Sequence, residues 1–186
     1  MAGIDMAVRK KPALCVLRGR IIEYLGFIDT NLIPSFLSGL GVRIAAIDSP
    51  FSLPSEGVWR EVDLIGKRIG LKLLPPGWKG MRRLVVETLK LLEELRRRGI
   101  VTIETFPSGI ESDCTFYYID HKQYPNKDLL DSCLAATAAL GYVLGEALSL
   151  WAEDGEIILP SRCVKLPRAP RFGPSSSLRV RRRLVR

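Results

Sequence analysis

Two short apolar segments of the chain end in an aspartate, and this pattern constrains the fold more than any other feature of the sequence. Residues 2–4 lead into Asp5, and residues 42–47 lead into Asp48, with Pro50 close behind. Such short apolar runs predict strands buried on both faces. An unpaired charge there is costly, so each aspartate needs either a nearby arginine or a metal ion shared with other carboxylates.

The first third of the chain predicts strands joined by short connections. Residues 12–17 and 21–28 are two further strand candidates, with Gly19 in the turn between them. With the strand that ends in Asp5, they predict an antiparallel meander. A short helix over residues 30–40 should then lead into the strand that ends in Asp48.

The next elements predict a parallel extension of this meander. Residues 81–98 carry apolar side chains at helical spacing and predict a long helix. Residues 100–106 predict a fifth strand, and Asn126 is a suitable N-cap for a helix running to about Trp151. Residues 156–160 are compatible with one more short strand. We therefore predict an α/β fold whose mixed five-stranded sheet, three antiparallel and then parallel strands, is flanked by helices.

Two segments differ in character from this domain, which we place at residues 1–160. Residues 51–80 are rich in proline and glycine and predict an inserted lid segment over the strand ends. Residues 161–186 predict a basic, flexible tail. Nine basic residues and no acidic one follow from Arg162 onward, so subtracting them from the total of +8 leaves −1 for the rest of the chain.

Composition excludes several classes of protein. No apolar run approaches the roughly 20 residues of a membrane span, and charges interrupt the N-terminal apolar run where a signal peptide would need its core. We expect a cytoplasmic protein, and the three amide side chains suggest a thermophilic source. His121 lies in a polar stretch, which argues against histidine-assisted nucleophilic catalysis. The cysteines lack metal-type spacing and are predicted to be ordinary thiols: Cys15, Cys114, Cys133 and Cys163.

A second pair of acids lies at the start of the last predicted helix. Asp128 and Asp131 are three residues apart and share a helix face, although the helix dipole alone would favour them there. If this helix packs across neighbouring strands, these acids meet Asp5 and Asp48 at one edge of the sheet. Such a cluster must raise a carboxyl pKa or bind cations. Oxygen ligands of this kind suit Mg²⁺ or Mn²⁺.

Several motifs together carry a resemblance to a known family. They are residues 3–5, 47–51, 53–54, 60–63, 67–68, 103–107 and 128–136. In these motifs the chain resembles an uncharacterised, domain-of-unknown-function family of predicted nucleases with an RNase H-like fold. That family is related to nucleases that resemble Holliday-junction resolvases. Most of residues 2–145 take part in the resemblance.

The resemblance implies a nuclease that cleaves DNA or RNA with two metal ions, Mg²⁺ or Mn²⁺. Asp5 would bridge the ions and Asp48, Asp128 and Asp131 would complete the ligands. The implied catalytic residues are Asp5, Asp48, Asp131 and Glu104. In the inserted segment, Arg60, Lys67 and Arg68 would contact phosphate, unless they form ion pairs with Glu61 or Asp63 on the same helix. The basic tail would add affinity that depends on salt, or only solubility.

Two alternatives to a nuclease remain on sequence grounds. The chain could keep the fold as a catalytically inactive, RNase H-like protein that only binds nucleic acid. A phosphotransferase of the actin and sugar-kinase type would need a Gly/Thr-rich turn after Asp5, which residues 6–9 lack. A homodimer is compatible with the sequence, and no membrane partner is expected.

Overall fold

The computed structural model describes residues 1–19, 21–110 and 126–161. In these ranges one mixed sheet runs through the molecule, in the strand order β3-β2-β1-β4-β5-β7-β6. The strands are β1 (Ala2–Asp5), β2 (Ala13–Arg18), β3 (Ile21–Phe27), β4 (Ile44–Asp48), β5 (Val101–Thr105), β6 (Ala147–Ala152) and β7 (Gly155–Pro160). The α/β class and the mixed sheet are therefore confirmed.

The first five strands pair as the sequence predicts. β1, β2 and β3 form an antiparallel meander, and β4 and β5 continue the sheet in parallel with β1. β7 then adds in parallel to β5, and β6 pairs antiparallel with β7. The predicted count of five strands is too low, because the described part of the sheet has seven.

The missed strand β6 comes from a helix boundary that was predicted too late. Four helices flank the described sheet: α1 (Ile33–Gly39), α2 (Glu61–Arg68), α3 (Lys79–Arg97) and α4 (Lys127–Val143). α4 ends at Val143 rather than near Trp151, because Gly145 adopts a φ of 71°. That left-handed conformation ends helices and is easiest for glycine. Residues 147–152 are then free to form β6.

The start of α4 is as predicted. The side chain of Asn126 accepts a hydrogen bond of 2.7 Å from the backbone N–H of Asp128. This satisfies one of the unpaired donors of the first helical turn. The N-cap therefore sets where the carboxylates of Asp128 and Asp131 emerge from the helix.

Small residues let α4 lie against the sheet with very little space between them. A Cβ atom on Gly3 of β1 would lie 2.0 Å from the backbone oxygen of Ser132, so only glycine permits this approach. The alanines of α4 are fully buried in the same interface: Ala135, Ala136, Ala138 and Ala139. The first turn of α4 is thereby held beside the end of β1.

The opposite face of the sheet has a second apolar core. Ile4 and Ile47, from β1 and β4, pack there with Leu37 of α1 and Leu95 of α3. The shorter helix α2, in the inserted segment, lies instead against β6 and β7. None of the helices in the described ranges is both long and apolar enough to span a membrane.

The structure corrects the prediction of ordinary thiols for two cysteines. Cys15 and Cys133 form a buried disulfide with a Cα–Cα distance of 5.1 Å. Cys15 is the register partner of Gly3, so it faces α4 at the point of closest approach. The other two cysteines, His121 and the tail from Arg162 onward lie outside the described residues.

Candidate functional site

Asp5 and Asp48 are paired side by side at the carboxyl ends of two neighbouring strands. They are register partners in the parallel ladder between β1 and β4, where strands lie about 4.8 Å apart. Alternate residues of a strand point to the same face, so Asp5 shares the face of Gly3, which contacts α4. The two aspartates therefore lie on the side of the sheet that α4 covers.

The environment of both aspartates disfavours their charged forms. Burial raises the pKa of Asp5 to about 7, with further contributions from the charges of Asp128 and Asp131. Burial also raises the pKa of Asp48 well above its ordinary value, helped by Asp5 and Asp131. Electrostatic coupling thus links all four predicted metal ligands, which the fold brings to one end of the sheet. No described residue forms an ion pair with Asp5 or Asp48.

The two aspartates of α4 have lysine partners instead. Lys127 donates to Asp131 over 2.5 Å, and Lys10 pairs with Asp128. The hydrogen bond to Asp131 is the main reason that the pKa of Lys127 is raised. Sequence reasoning missed both lysines, although the four-residue spacing from Lys127 to Asp131 is typical of helical ion pairs.

The predicted metal ligands do not form a ready-made metal cluster. Within residues 1–19, 21–110 and 126–161, no group of three or more acidic, histidine or cysteine side chains is arranged to hold a metal ion. Asp5 and Asp48 are the two predicted metal ligands that have no lysine partner among the described residues.

Glu104 has a different environment from the other predicted catalytic acids. Its register partner on β4 is Ile47, so it points away from the face that Asp5 and Asp48 share. Its carboxylate accepts two hydrogen bonds from Arg60, over 2.9 and 2.5 Å, and one of 2.8 Å from the backbone N–H of Phe51. Burial raises its pKa, and Arg60 opposes that effect. Glu104 therefore makes a structural contact with Arg60, but its charge also contributes to the raised pKa of Asp48 and it lines the same cavity as Asp5 and Asp48, so its catalytic role stays a prediction.

Arg60 does not present its charge to solvent, which contradicts the predicted phosphate contact and agrees with the alternative of an ion pair with Asp63. Its side chain is fully buried between Glu104 and Asp63. Burial works against its charge, but hydrogen bonds to the two carboxylates outweigh this effect and raise its pKa. The reason is local: Arg60 precedes α2, and its Nε and Nη2 atoms bond the Asp63 carboxylate in the first turn. Lys67 and Arg68, by contrast, are exposed at the end of α2.

A cavity of about 280 Å³ lies at the carboxyl ends of β1, β4 and β5. Asp5, Asp48 and Glu104 line it, together with Lys72 and Leu74 of the inserted segment. Residues of the inserted segment therefore border the strand ends. The cavity joins the paired aspartates to the surface of that segment.

Comparison with protein-family models, with curated proteins and with solved structures gives no match for this chain.

Proposed function

We propose that this protein is a metal-dependent nuclease that hydrolyses phosphodiester bonds of DNA or RNA. The observation that carries the proposal is the register pairing of Asp5 with Asp48 under the acidic first turn of α4. Carboxylates held together at raised pKa are typical of sites that act on charged groups or bind cations.

We further propose that the fold is RNase H-like. Three antiparallel strands followed by parallel β4 and β5, with acids at the ends of β1 and β4 and at the start of α4, support this assignment. β6 and β7 would then be additions at the β5 edge of the sheet. Under this assignment the paired aspartates would correspond to the acids that the family resemblance implies for metal binding.

The residues present fit a hard divalent cation. Asp5 and Asp48 supply oxygen atoms only, and Mg²⁺ is commonly held by one or two carboxylates together with water and substrate phosphates. They would hold the ion, and Asp131 and Asp128 would join them only on release from Lys127 and Lys10. A bound ion would polarise the phosphodiester and lower the pKa of an attacking water.

The chain's own residues have separable roles in this proposal. Asp5 and Asp48 must lose their protons to bind a cation, which their raised pKa values resist at acidic pH. Lys127 and Lys10 offset the negative charge of α4, so a phosphate can approach a site that would otherwise repel it. Gly3 keeps α4 close enough for these groups to act together.

The test is cleavage of a panel of labelled single strands, duplexes, hybrids and junctions, with Mg²⁺, Mn²⁺ or a chelator. We expect cleavage only with metal, and loss of at least about 100-fold in rate for Asp5→Asn and for Asp48→Asn. Asp29→Asn is the matched control, since Asp29 is an exposed aspartate paired with Lys11. Cleavage that is equal in Asp5→Asn and in the wild type would refute the proposal.

One observation favours the alternative of a non-catalytic nucleic-acid-binding protein. Lys127 and Lys10 already neutralise two of the four acids, which reduces the need for a metal ion. This alternative predicts binding that depends strongly on salt and survives Asp5→Asn, with no cleavage of any substrate in the panel. Lys127→Gln distinguishes the nuclease from the non-catalytic binding protein. If Lys127 competes with a metal ion at the site of a nuclease, the variant should bind Mn²⁺ more tightly; a binding protein that needs no metal should show no such gain.

A further inference from the structure

The inserted segment and the first turn of α3 carry an unbalanced positive charge. Residues 64–83 contain six basic residues and no acidic one. All six side chains are exposed, and we call them the basic surface: Lys67, Arg68, Lys72, Lys79, Arg82 and Arg83. In the described part of the chain none of them forms an ion pair.

Several other basic residues of the described structure have acidic partners. Arg97 and Arg98, at the far end of α3, bind glutamates on their own helix, and Lys90 pairs with Glu87. Such pairs give a helix surface that is close to neutral. The basic surface lacks such partners and presents a field that attracts polyanions.

Two tryptophans accompany the basic surface. Trp78 precedes α3 and is 55% exposed, so a ligand in solvent can reach it. The ammonium of Lys67 lies 3.8 Å from the ring centre of Trp59, a cation–π contact that orients this cation. The backbone N–H of Gly77 donates to the oxygen of Val58 over 3.0 Å. Because Trp59 follows Val58 and Trp78 follows Gly77, this bond brings the backbones of the two tryptophans close together.

The basic surface is continuous with the cavity that holds the paired aspartates. Lys72 belongs to both, and Met81, which also lines the cavity, lies one helical turn beyond Trp78. Trp78, Lys79, Arg82 and Arg83 share one face of α3, because residues three and four apart are neighbours on a helix. A chain of phosphates bound along this face would lead towards Asp5 and Asp48.

We propose that this surface binds unpaired nucleic acid, with a base stacked on Trp78 and the phosphates on the basic side chains. An exposed indole beside unpaired cations is the combination that single-strand binding uses, since every base has a face that can stack. The bases of an intact duplex are stacked on one another and offer no such face. The inference deepens the proposed nuclease function, because it names single strands as the substrate class.

The test measures binding and not cleavage, so the two proposals can fail separately. The full chain with Asp5→Asn, in chelator, is titrated into fluorescein-labelled single strands of roughly 16 nucleotides, both DNA and RNA, and into the matching duplexes. Fluorescence polarisation measures the affinity, and the dependence of the affinity on salt concentration gives the number of phosphate contacts. We expect single strands to bind more tightly than duplexes. Comparing the affinities for single-stranded DNA and RNA shows whether the surface prefers deoxyribose or ribose.

Two variants with matched controls locate the binding. Trp78→Ala should weaken single-strand binding about five-fold or more, whereas Trp151→Ala should not, although Trp151 on β6 is 60% exposed. Arg82→Glu should weaken binding and reduce its salt dependence, whereas Arg96→Glu, at the exposed far end of the same helix, should change neither by as much. All four positions are exposed, so circular dichroism should show folded proteins.

Three results would overturn the inference. They are equal effects of Trp78→Ala and Trp151→Ala, duplex binding at least as tight as single-strand binding, and binding to phosphatidylserine vesicles without binding to any oligonucleotide. If one of these results is obtained and cleavage still depends on Asp5, the nuclease proposal is retained and the proposal of single-strand binding is rejected. If single-strand binding depends on Trp78 but no substrate is cleaved, the surface stands and the nuclease proposal falls.

Discussion

The guanidinium of Arg60 and the carboxylate of Glu104 form a buried ion pair that ties the inserted segment to β5. Arg60 binds Glu104 through both terminal nitrogens and also binds Asp63 at the start of α2. The same network reaches Ser52, whose hydroxyl accepts from Arg60 and donates to the backbone oxygen of Asp154. Buried charges therefore attach the inserted segment to the sheet, in addition to its apolar side chains Val62, Ile69 and Leu71, which pack in the core.

Removing the arginine should destabilise the fold severely. Arg60→Met leaves two buried carboxylates, Glu104 and Asp63, without their cation, and breaking a buried pair in this way typically costs about 3–5 kcal/mol. Urea unfolding at neutral pH measures the loss. Arg18→Met is the control, because the pair of Arg18 with Glu23 is largely exposed and exposed pairs contribute little to stability. Equal losses in the two variants would contradict the structural role of Arg60.

Reducing the disulfide should lower stability. Cys15 and Cys133 are 118 residues apart, and closing a loop of roughly 100 residues restricts the unfolded chain by about 4–5 kcal/mol in the entropic model. Thermal unfolding with and without a phosphine reductant measures the effect. The reductant should not shift the melting temperature of the double variant Cys15→Ala with Cys133→Ala. A wild-type melting temperature that reductant leaves unchanged would contradict the prediction.

Replacing Asp5 should stabilise the metal-free protein, and only above acidic pH. The pKa of Asp5 is about 7 in the folded state and about 3.9 in an unfolded chain. Between these values the unfolded state binds fewer protons, so wild-type stability falls as pH rises. Asp5→Asn has no carboxyl group at this position, so its free energy of unfolding does not fall for this reason. The two proteins should match below about pH 4, and the variant should be more stable above pH 7, as urea unfolding across this range in chelator would show.

The affinity for a metal ion should rise with pH, whereas the stability of the metal-free protein falls. Cations bind the ionised carboxylates, so the affinity for Mn²⁺ should rise as pH increases through about 7, where Asp5 loses its proton. Calorimetric titration with Mn²⁺ alone measures this. Asp5→Asn and Asp48→Asn should abolish the pH-dependent binding and Asp29→Asn should not. Affinity that is the same at pH 5.5 and pH 8, or that survives both substitutions, would exclude this site.

The contact between Gly3 and α4 should be intolerant of any side chain. In Gly3→Ala the new methyl group would meet the backbone of Ser132 at 2.0 Å, so α4 must move, at a cost of about 1–3 kcal/mol or more. That movement also separates Asp131 from Asp5, so any cleavage should fall with stability. Gly39→Ala has no atom within 4 Å of the new Cβ and should be neutral or slightly stabilising. Similar unfolding curves for the two variants would contradict the close packing.

Local patterns in the sequence were enough to predict most elements around the site. Short apolar runs predicted β1 and β4, and Asn126 predicted the start of α4. Since parallel strands expose their carboxyl ends at one edge, the same patterns predicted that Asp5 and Asp48 would meet. The largest error in a helix boundary, at Val143, depended on the left-handed conformation of Gly145.

The partners of charged groups could not be predicted in this way. The sequence offered Arg60 either a phosphate contact or a local ion pair, and the pair with Asp63 forms. Its second partner could not be predicted, because Glu104 lies 44 residues further along the chain and reaches Arg60 only when β5 lies beside the inserted segment. Cys15 and Cys133 meet for the same reason, across 118 residues. The sequence by itself determined the strands, the helix starts and the acids, because these depend on neighbours a few residues away. Only the tertiary structure decided which acids remain available and which are neutralised, because ion pairs and burial depend on distances that chain separation does not encode.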